Sequence, residues 1–215
     1  MIQDIWPKHL DNQYKNLKPG KGDTVFYFQG SSLLARPSGH FNSQNPEENV
    51  LIYPQYDEFV QGIKSSYGDK AVDNFEFIYL LSIDEEHFFL ARKTGSLERG
   101  TFLGEMADSA VHKDMYSFVR GYEFIGVDSF RKAQPREHAY AAITAFHLYG
   151  WYRDNHFCGR CGKPLKHDDK QRMLRCDCCK NMVFPKICPA VIVAVTDKDR
   201  ILLTKYAGRT YRNYA

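Results

Sequence analysis

Two Cys-x-x-Cys pairs constrain the fold of this chain more than any other feature. Cys158/Cys161 and Cys176/Cys179 lie in one stretch, His156 to Pro189, which contains all six cysteines. A turn of this kind, a zinc knuckle, directs two thiolates and several backbone N–H groups at one point. Two such turns at the ends of a short hairpin complete a tetrahedral four-cysteine site with Zn–S distances of about 2.3 Å. The spacing therefore predicts a zinc ribbon with these four cysteines as ligands.

Two other uses of paired cysteines fit the sequence less well. Two disulfides would require an oxidising compartment, but the N-terminus, MIQDIWPKHL, has no basic segment followed by an apolar one, so we expect no secretory signal and a cytoplasmic protein. A redox Cys-x-x-Cys would be single, at the start of a helix that follows a strand, and neither pair has that setting. Structural zinc is the preferred interpretation.

The remaining two cysteines are expected to lie outside the metal site. Cys178 offers a third thiol next to the second knuckle, but the symmetry of the two knuckles selects Cys176 and Cys179. Cys188 is expected to be a small packed residue at the entrance of a strand. Four thiolates around Zn²⁺ leave no position for water, so the predicted metal builds structure and performs no chemistry.

Composition limits the class of protein. The 215 residues are 43% hydrophobic and 14% aromatic, which indicates a globular chain with one large domain or two small ones. No apolar run approaches the roughly 18 residues of a membrane span. The net charge of +3 is too small to indicate a polyanion partner. From Cys158 to Lys186, however, eight Lys/Arg stand against three Asp, a local charge of +5 that a tetrathiolate zinc, at about −2, only partly offsets.

Three β-hairpins and three helices are predicted from patterns of apolar and turn residues. The hairpins cover Val25–Arg36, with a tight turn at Gly30, Phe75–Arg92, with a turn at 84–86, and Ala190–Tyr206, with a turn at 196–199. The helices cover Tyr56–Ser66, Ala107–Arg120, which carries His112, and Pro135–Tyr152; residues 37–48 are a loop by composition.

The helix 135–152 is the strongest of these predictions. Pro135 suits the first helical position, and Glu137 suits the positive end of the helix dipole. Apolar residues occur nearly all round the helix, so we expect burial on two sides, between the first domain and either the ribbon or a second subunit.

The order of these features resembles the NADH pyrophosphatase family of the Nudix hydrolase superfamily. The residues that carry the resemblance are WYRDNHFCGRCG from Trp151, the second knuckle, and VFPKI from Val183 leading into PAVIVAV. The resemblance implies an α+β fold: an N-terminal Nudix-like domain (1–152, including the helix 135–152), a zinc ribbon (153–187) and the first hairpin of a Nudix hydrolase domain (188–215).

The resemblance also implies an activity and a partner. Members hydrolyse NAD(H) to nicotinamide mononucleotide and AMP, and some remove NAD caps from RNA, with Mg²⁺ or Mn²⁺ and as homodimers whose subunits share the site. Their catalytic glutamates lie in a Nudix box, G-x5-E-x7-R-E-U-x-E-E-x-G-U, with U aliphatic. The 215 residues contain no match to this pattern. We therefore expect a chain truncated before the box and inactive by itself.

Two residues are candidates for substrate binding by resemblance. Phe184 precedes the exit proline of the ribbon, where an aromatic ring in the family can stack on the nicotinamide-side base; a hydrophobic plug beneath the ribbon is the alternative role. Arg120 is the candidate match to a family arginine of the Nudix-like domain. Gln171 stands where the family can carry a substrate-contacting glutamate.

Three functions remain open from the sequence. The first is the N-terminal portion of an NAD(H) pyrophosphatase. The second is a zinc-ribbon nucleic-acid module that uses the basic loop Lys163–Arg175, although this loop has no aromatic side chain on which a base could stack. The third is a non-catalytic dimerisation partner that pairs through the apolar helix and the hairpin 190–206. That hairpin is expected to dock on its own chain, pair with another copy, or fray.

Overall fold

A computed structural model describes residues 3–39, 50–94, 118–189, 191 and 193–205. These residues fall into two compact units, Met1–Pro185 and Lys186–Ala215. Each unit is taken by itself below.

A mixed sheet forms the centre of the first unit. Among the described residues it has seven strands in the order β1-β5-β6-β2-β3-β4, with β7 also pairing with β3. The strands are antiparallel except for the β2–β6 pair, which is parallel. Their bounds are Leu10–Asp11 (β1), Thr24–Gln29 (β2), Ser32–Pro37 (β3), Leu51–Ile52 (β4), Phe75–Ile83 (β5), Glu86–Lys93 (β6) and Glu123–Gly126 (β7).

The first two predicted hairpins are confirmed. Strands β2 and β3 pair across a two-residue turn in which Gly30 has φ +56°, a left-handed conformation that glycine adopts without steric cost. Strands β5 and β6 pair along their length from Phe75↔Lys93 to Ile83↔Glu86. The alternation of strand side chains then determines which residues face each side of the sheet.

Helix α1, Tyr56–Tyr67, covers one face of the sheet, close to the predicted range 56–66. The Glu58 carboxylate accepts a hydrogen bond from the backbone N–H of Gln55 at 3.1 Å, which satisfies a donor at the helix start. Phe59 and Ile63 are fully buried against Val25, Tyr27 and other residues that point to this side. A 3₁₀ segment, Asp69–Asn74, connects α1 to β5.

Helix α2, Arg136–Asp154, covers the opposite face and confirms the predicted long helix. Pro135 is the N-cap residue, one position before the predicted one. The ring of Phe28 in β2 lies 5.1 Å from that of Tyr149 and 5.5 Å from that of Phe146. The first unit is therefore layered, with the sheet between α1 and α2. Neither helix is long and apolar enough to cross a membrane, a result that covers only the described residues.

The second unit differs from its predicted form. Among the described residues, 191 and 193–195 form no strand, whereas Thr196–Asp197 (β11) pairs with Arg200–Ile201 (β12). The predicted strand over 190–195 and turn over 196–199 are therefore wrong where the structure describes them. Val193 and Leu203 are exposed. An isolated two-stranded hairpin is only marginally stable in water, so apolar alternation alone does not ensure long strands. Cys188, predicted to be packed, is also exposed.

Some predictions lie wholly or largely outside the described residues. Most of the loop 37–48 does, and so does the helix 107–120 with His112 except for its last residues. Phe118, Val119 and Arg120 are described, and they form a bend and turn before β7 where a helix end was expected.

Two glycines give a matched test of this packing. A Cβ on Gly62 in α1 would lie 2.8 Å from the carbonyl oxygen of Phe118, whereas a Cβ on Gly150 in α2 would meet nothing within 4 Å. We expect Gly62→Ala to lower the free energy of unfolding by about 1–3 kcal/mol through overpacking. Gly150→Ala should raise it by about 0.5–1 kcal/mol, the gain of alanine in a helix interior. Denaturant titrations of both variants test this, and equal effects would contradict the packing of α1 on residues 118–119.

Candidate metal centre

The two Cys-x-x-Cys turns have the same backbone structure. In the first, the N–H of Cys158 donates to the carbonyl of Lys163 at 2.8 Å, and that of Gly162 donates to the carbonyl of Cys158 at 2.8 Å. In the second, the N–H of Cys176 donates to Asn181 and that of Lys180 donates to Cys176, both at 2.9 Å. Gly162 and Lys180 occupy equivalent positions and both have positive φ, +71° and +60°. The second turn therefore holds a lysine in the conformation that the first gives to glycine.

These turns bring the four predicted cysteines together. The Sγ atoms of Cys158, Cys161, Cys176 and Cys179 all lie within 4.8 Å of one another. Two of these separations are 3.5 Å, between Cys158 and Cys179, and 3.4 Å, between Cys161 and Cys176. Around a tetrahedral zinc with Zn–S of about 2.3 Å the sulfur atoms are about 3.8 Å apart. The cluster has the size and donor set of a four-thiolate metal site.

Backbone donors favour the thiolate form of two of these cysteines. The N–H of Arg160, 3.4 Å from Sγ of Cys158, lowers the pKa of that thiol to about 6. The N–H of Cys179 likewise lowers the pKa of the Cys176 thiol. Hydrogen bonds to a charged group stabilise it relative to its neutral form, and thiolates are the form that binds metal. The side-chain N–H of Asn181 adds a contact of 3.6 Å to Sγ of Cys158.

A small three-stranded sheet carries the turns. Its strands are β8 (Leu165–His167), β9 (Leu174–Cys176) and β10 (Met182–Val183), antiparallel in the order β10-β9-β8. We call residues 156–183 the ribbon. Cys178 is exposed and lies outside the four-cysteine cluster.

The ribbon is packed on helix α2 and the main sheet. Leu174 of β9 is buried in the same core cluster as Tyr149, Trp151 and Tyr152 of α2, and Leu165 packs against that cluster. Helix α2 is therefore covered by the main sheet and by the ribbon, which is one of the two arrangements that the sequence left open.

A half-buried histidine, His167, forms the polar part of this contact. The Tyr152 hydroxyl lies 2.7 Å from Nε2 of His167, and Nδ1 of His167 lies 2.8 Å from the carbonyl oxygen of Asp168. Since that carbonyl can only accept, Nδ1 carries the proton and Nε2 accepts from Tyr152. Burial lowers the pKa of His167 and raises the pKa of Tyr152, so both remain neutral.

The charged side chains of the ribbon are less available than the sequence suggested. Arg172 turns inward, and its guanidinium donates to the carbonyl of Leu80 in β5. Lys166 pairs with Asp177 at 2.6 Å, and Arg175 pairs with Asp168 at 3.2 Å. The basic loop predicted from charge count therefore includes one arginine that joins the ribbon to the sheet and two cations with carboxylate partners.

The two candidate substrate residues, Phe184 and Arg120, do not belong to the cysteine cluster, and both lie at the surface. Phe184 follows β10 and is 49% exposed, which is too open for a plug beneath the ribbon. Arg120 is exposed in the turn before β7. No contact joins the two in the part of the chain that the structure describes. Gln171 is exposed in the β8–β9 turn, where its N–H donates to the Asp168 carboxylate at 3.0 Å.

Sequence reasoning missed the residues that attach the ribbon. Tyr152 and His167 are 15 residues apart, and Arg172 reaches Leu80 across 92 residues. Neither pair has a spacing that a motif would show. The one available signal was the apolar surface all round α2, which indicated a second layer without identifying it.

An α+β domain with a docked four-cysteine ribbon is the class of protein that this geometry defines. Similarity to characterised proteins is more specific, although no protein-family model matches the chain. A NAD-capped RNA hydrolase NudC from Pseudomonas aeruginosa is 38% identical over 55 residues, which is 26% of this chain and 20% of that protein. The protein of the same name from Salmonella typhi is 36% identical over 59 residues, which is 27% of this chain and 23% of that protein. The one from Pseudomonas putida is 40% identical over 55 residues, which is 26% of this chain and 20% of that protein.

These matches confirm the resemblance predicted from the sequence. They extend over about a quarter of this chain, and they span only about a fifth of the length of the curated relatives.

The four-cysteine assignment is tested by a pair of serine variants. We expect one zinc per chain, and Cys158→Ser should lose the zinc and unfold the ribbon because such sites derive much of their folding free energy from the metal. Cys178→Ser is a matched change one position from a predicted ligand, and it should keep the zinc and the folded ribbon. Elemental analysis with circular dichroism measures this. Full zinc in Cys158→Ser, or none in Cys178→Ser, would overturn the assignment.

The Tyr152–His167 contact is tested by removing one hydroxyl. Tyr152→Phe leaves Nε2 of His167 without its donor, and we expect a loss of about 1–3 kcal/mol in the free energy of unfolding. Tyr67→Phe removes a hydroxyl from an exposed tyrosine and should change it by less than about 0.5 kcal/mol. Equal effects of the two changes in urea titrations would show that the contact does not hold the ribbon.

Proposed function

We propose that this chain is the N-terminal and zinc-ribbon portion of an NAD(H) pyrophosphatase that acts on NAD(H) or NAD-capped RNA and yields nicotinamide mononucleotide and AMP. The observation that carries the proposal is the match to NAD-capped RNA hydrolases at 36–40% identity. The four-cysteine cluster on an α+β domain supports it, because the family combines these parts in this order. Residues 1–152 would be its N-terminal domain. Residues 153–187 would be its zinc-ribbon domain, which contains the ribbon, and residues 188–215 would be the start of the hydrolase domain.

The metal in the ribbon would have a structural role. Cys158, Cys161, Cys176 and Cys179 supply four sulfur donors, the set that zinc prefers in closed sites. When bound there, zinc has no open position for water or substrate. The Mg²⁺ or Mn²⁺ of pyrophosphate hydrolysis needs clustered carboxylate oxygens, which the family takes from the Nudix box.

The contribution of this chain would be to hold a base-stacking surface next to the active site of the whole enzyme. Phe184 is half exposed directly after β10, and the ribbon that carries β10 is packed on α2. A ring held in this way can stack on a nucleotide base. Arg120, exposed on the N-terminal domain, is a second candidate, with its positive charge suited to phosphate. A cytoplasmic homodimer completes the proposal.

A nucleic-acid module is the alternative that the basic loop favours. Its support is weaker in the folded chain, because Arg172 is turned inward and Lys166 and Arg175 have carboxylate partners. Binding to RNA that falls steeply with added salt, without dependence on an NAD cap, would favour this alternative.

A dimerisation partner is the other alternative. It was expected to use the apolar surface of α2, but that surface is occupied by the sheet and the ribbon within the same chain. The exposed residues of the second unit, such as Val191 and Val193, are what remains to support it.

Catalysis is tested directly with the isolated chain. We expect no AMP release from NADH above background with Mg²⁺ or Mn²⁺, because the 215 residues contain no Nudix box to supply cation ligands. Chromatography of the products, beside a full-length relative as the positive control, makes the measurement. If the chain matches the relative in rate, the catalytic carboxylates lie within these 215 residues and the assignment of the chemistry is wrong.

A further inference from the structure

A pocket lies on the α1 side of the main sheet. Its volume is about 380 Å³, within the range of about 300–1,000 Å³ that small-ligand sites occupy. Strand β2, the end of α1, the 3₁₀ segment after it and the paired ends of β5 and β6 contribute to its walls. The pocket belongs to the core cluster of α1, whereas the ribbon packs on the cluster of α2. It is therefore separate from the metal centre.

Four aromatic rings line this pocket. Tyr27 of β2 lies with its ring 5.7 Å from that of Phe75 and 5.7 Å from that of Phe118. Tyr67, at the end of α1, lies 6.0 Å from Phe118 and is 64% exposed at the rim. Rings at several tilts around one space offer both faces and edges to a flat guest.

Among the described residues, three polar side chains also line the pocket. The Gln29 amide N–H₂ lies 3.4 Å from the Tyr27 hydroxyl, and Asn74 adds a second side-chain amide. Lys93 lies directly across from Phe75 in the β5–β6 pair and brings a positive charge. None of the lining residues that the structure describes is acidic. Two amides can each donate and accept at the edge of a heterocycle, and an ammonium attracts an anion.

We propose that this pocket binds a nucleoside monophosphate unit, with the base among the aromatic rings and the phosphate at Lys93. The rings match the flat base, the amides match its polar edge, and the ammonium of Lys93 matches the phosphate. An apolar guest would leave both amides and the ammonium without partners, and a cationic one would be repelled by Lys93. The unit is either a free mononucleotide or the 5′ end of an RNA. The site goes beyond the proposed hydrolase function and does not depend on it.

The test is a titration with AMP in which the amide chemical shifts of the chain are monitored by NMR. AMP should shift amides of β2, of residues 67–75 and of Lys93. Lys93→Ala should weaken AMP about tenfold, the effect of a lost hydrogen bond to a charged group, and leave adenosine binding unchanged. Tyr67→Ala should weaken AMP and adenosine alike, by about tenfold, through lost stacking. Lys70→Ala is the matched control, because it removes an exposed lysine of the 3₁₀ segment that does not line the pocket.

The outcomes separate the proposal from its competitors. No shifts in the lining residues at millimolar AMP, equal weakening by Lys93→Ala and Lys70→Ala, or equal shifts with inorganic phosphate alone would overturn it. A 5′-phosphorylated oligonucleotide that binds more tightly than AMP identifies an RNA end as the natural source, and one that binds more weakly identifies a free mononucleotide. Binding is read without turnover, so the result is distinguishable from any failure of the proposed hydrolase.

Discussion

The burial of helix α2 on two sides is the constraint on which the first unit depends. Ala139, Ala142 and Phe146 belong to the core that α2 shares with the sheet, and Leu174 of the ribbon is buried in the same core. A helix that is apolar nearly all round is stable in water only when a second layer covers its remaining surface. The ribbon supplies that layer. The metal centre and the sheet are consequently parts of one folded unit, Met1–Pro185.

Strand β9 joins the four-cysteine cluster to the docking contact. Leu174 at one end of this strand is buried against α2, and Cys176 at its other end is a member of the four-cysteine cluster. Few apolar residues lie inside the ribbon itself, so we expect its three short strands to need both a metal and a neighbouring surface to stay ordered. Arg172 and His167 add polar contacts that fix how the ribbon sits.

Local sequence patterns predicted the structural elements that depend on residues close together in the chain. The knuckles, the two hairpins of the main sheet and both described helices follow from cysteine spacing, turn residues and apolar periodicity. The inward turn of Arg172 and the pairing of Tyr152 with His167 depend on segments distant in the chain, which no periodicity encodes. The hairpin predicted over 190–206 is present only as the short pair 196–197 and 200–201 among the described residues, because the length of a strand depends on packing as well as on apolar alternation. The pocket around Tyr27 and Lys93 likewise arises from five separate elements.

The central claim is that the four cysteines form one metal site whose metal keeps the ribbon on α2. Amide hydrogen exchange, measured by mass spectrometry with and without a zinc chelator, tests this claim most directly. We predict that chelation increases exchange throughout residues 156–183, where the N–H groups of Gly162 and Leu165 are hydrogen-bonded, while β5 and β6 stay protected. Unchanged exchange in residues 156–183 after complete removal of zinc would contradict the account.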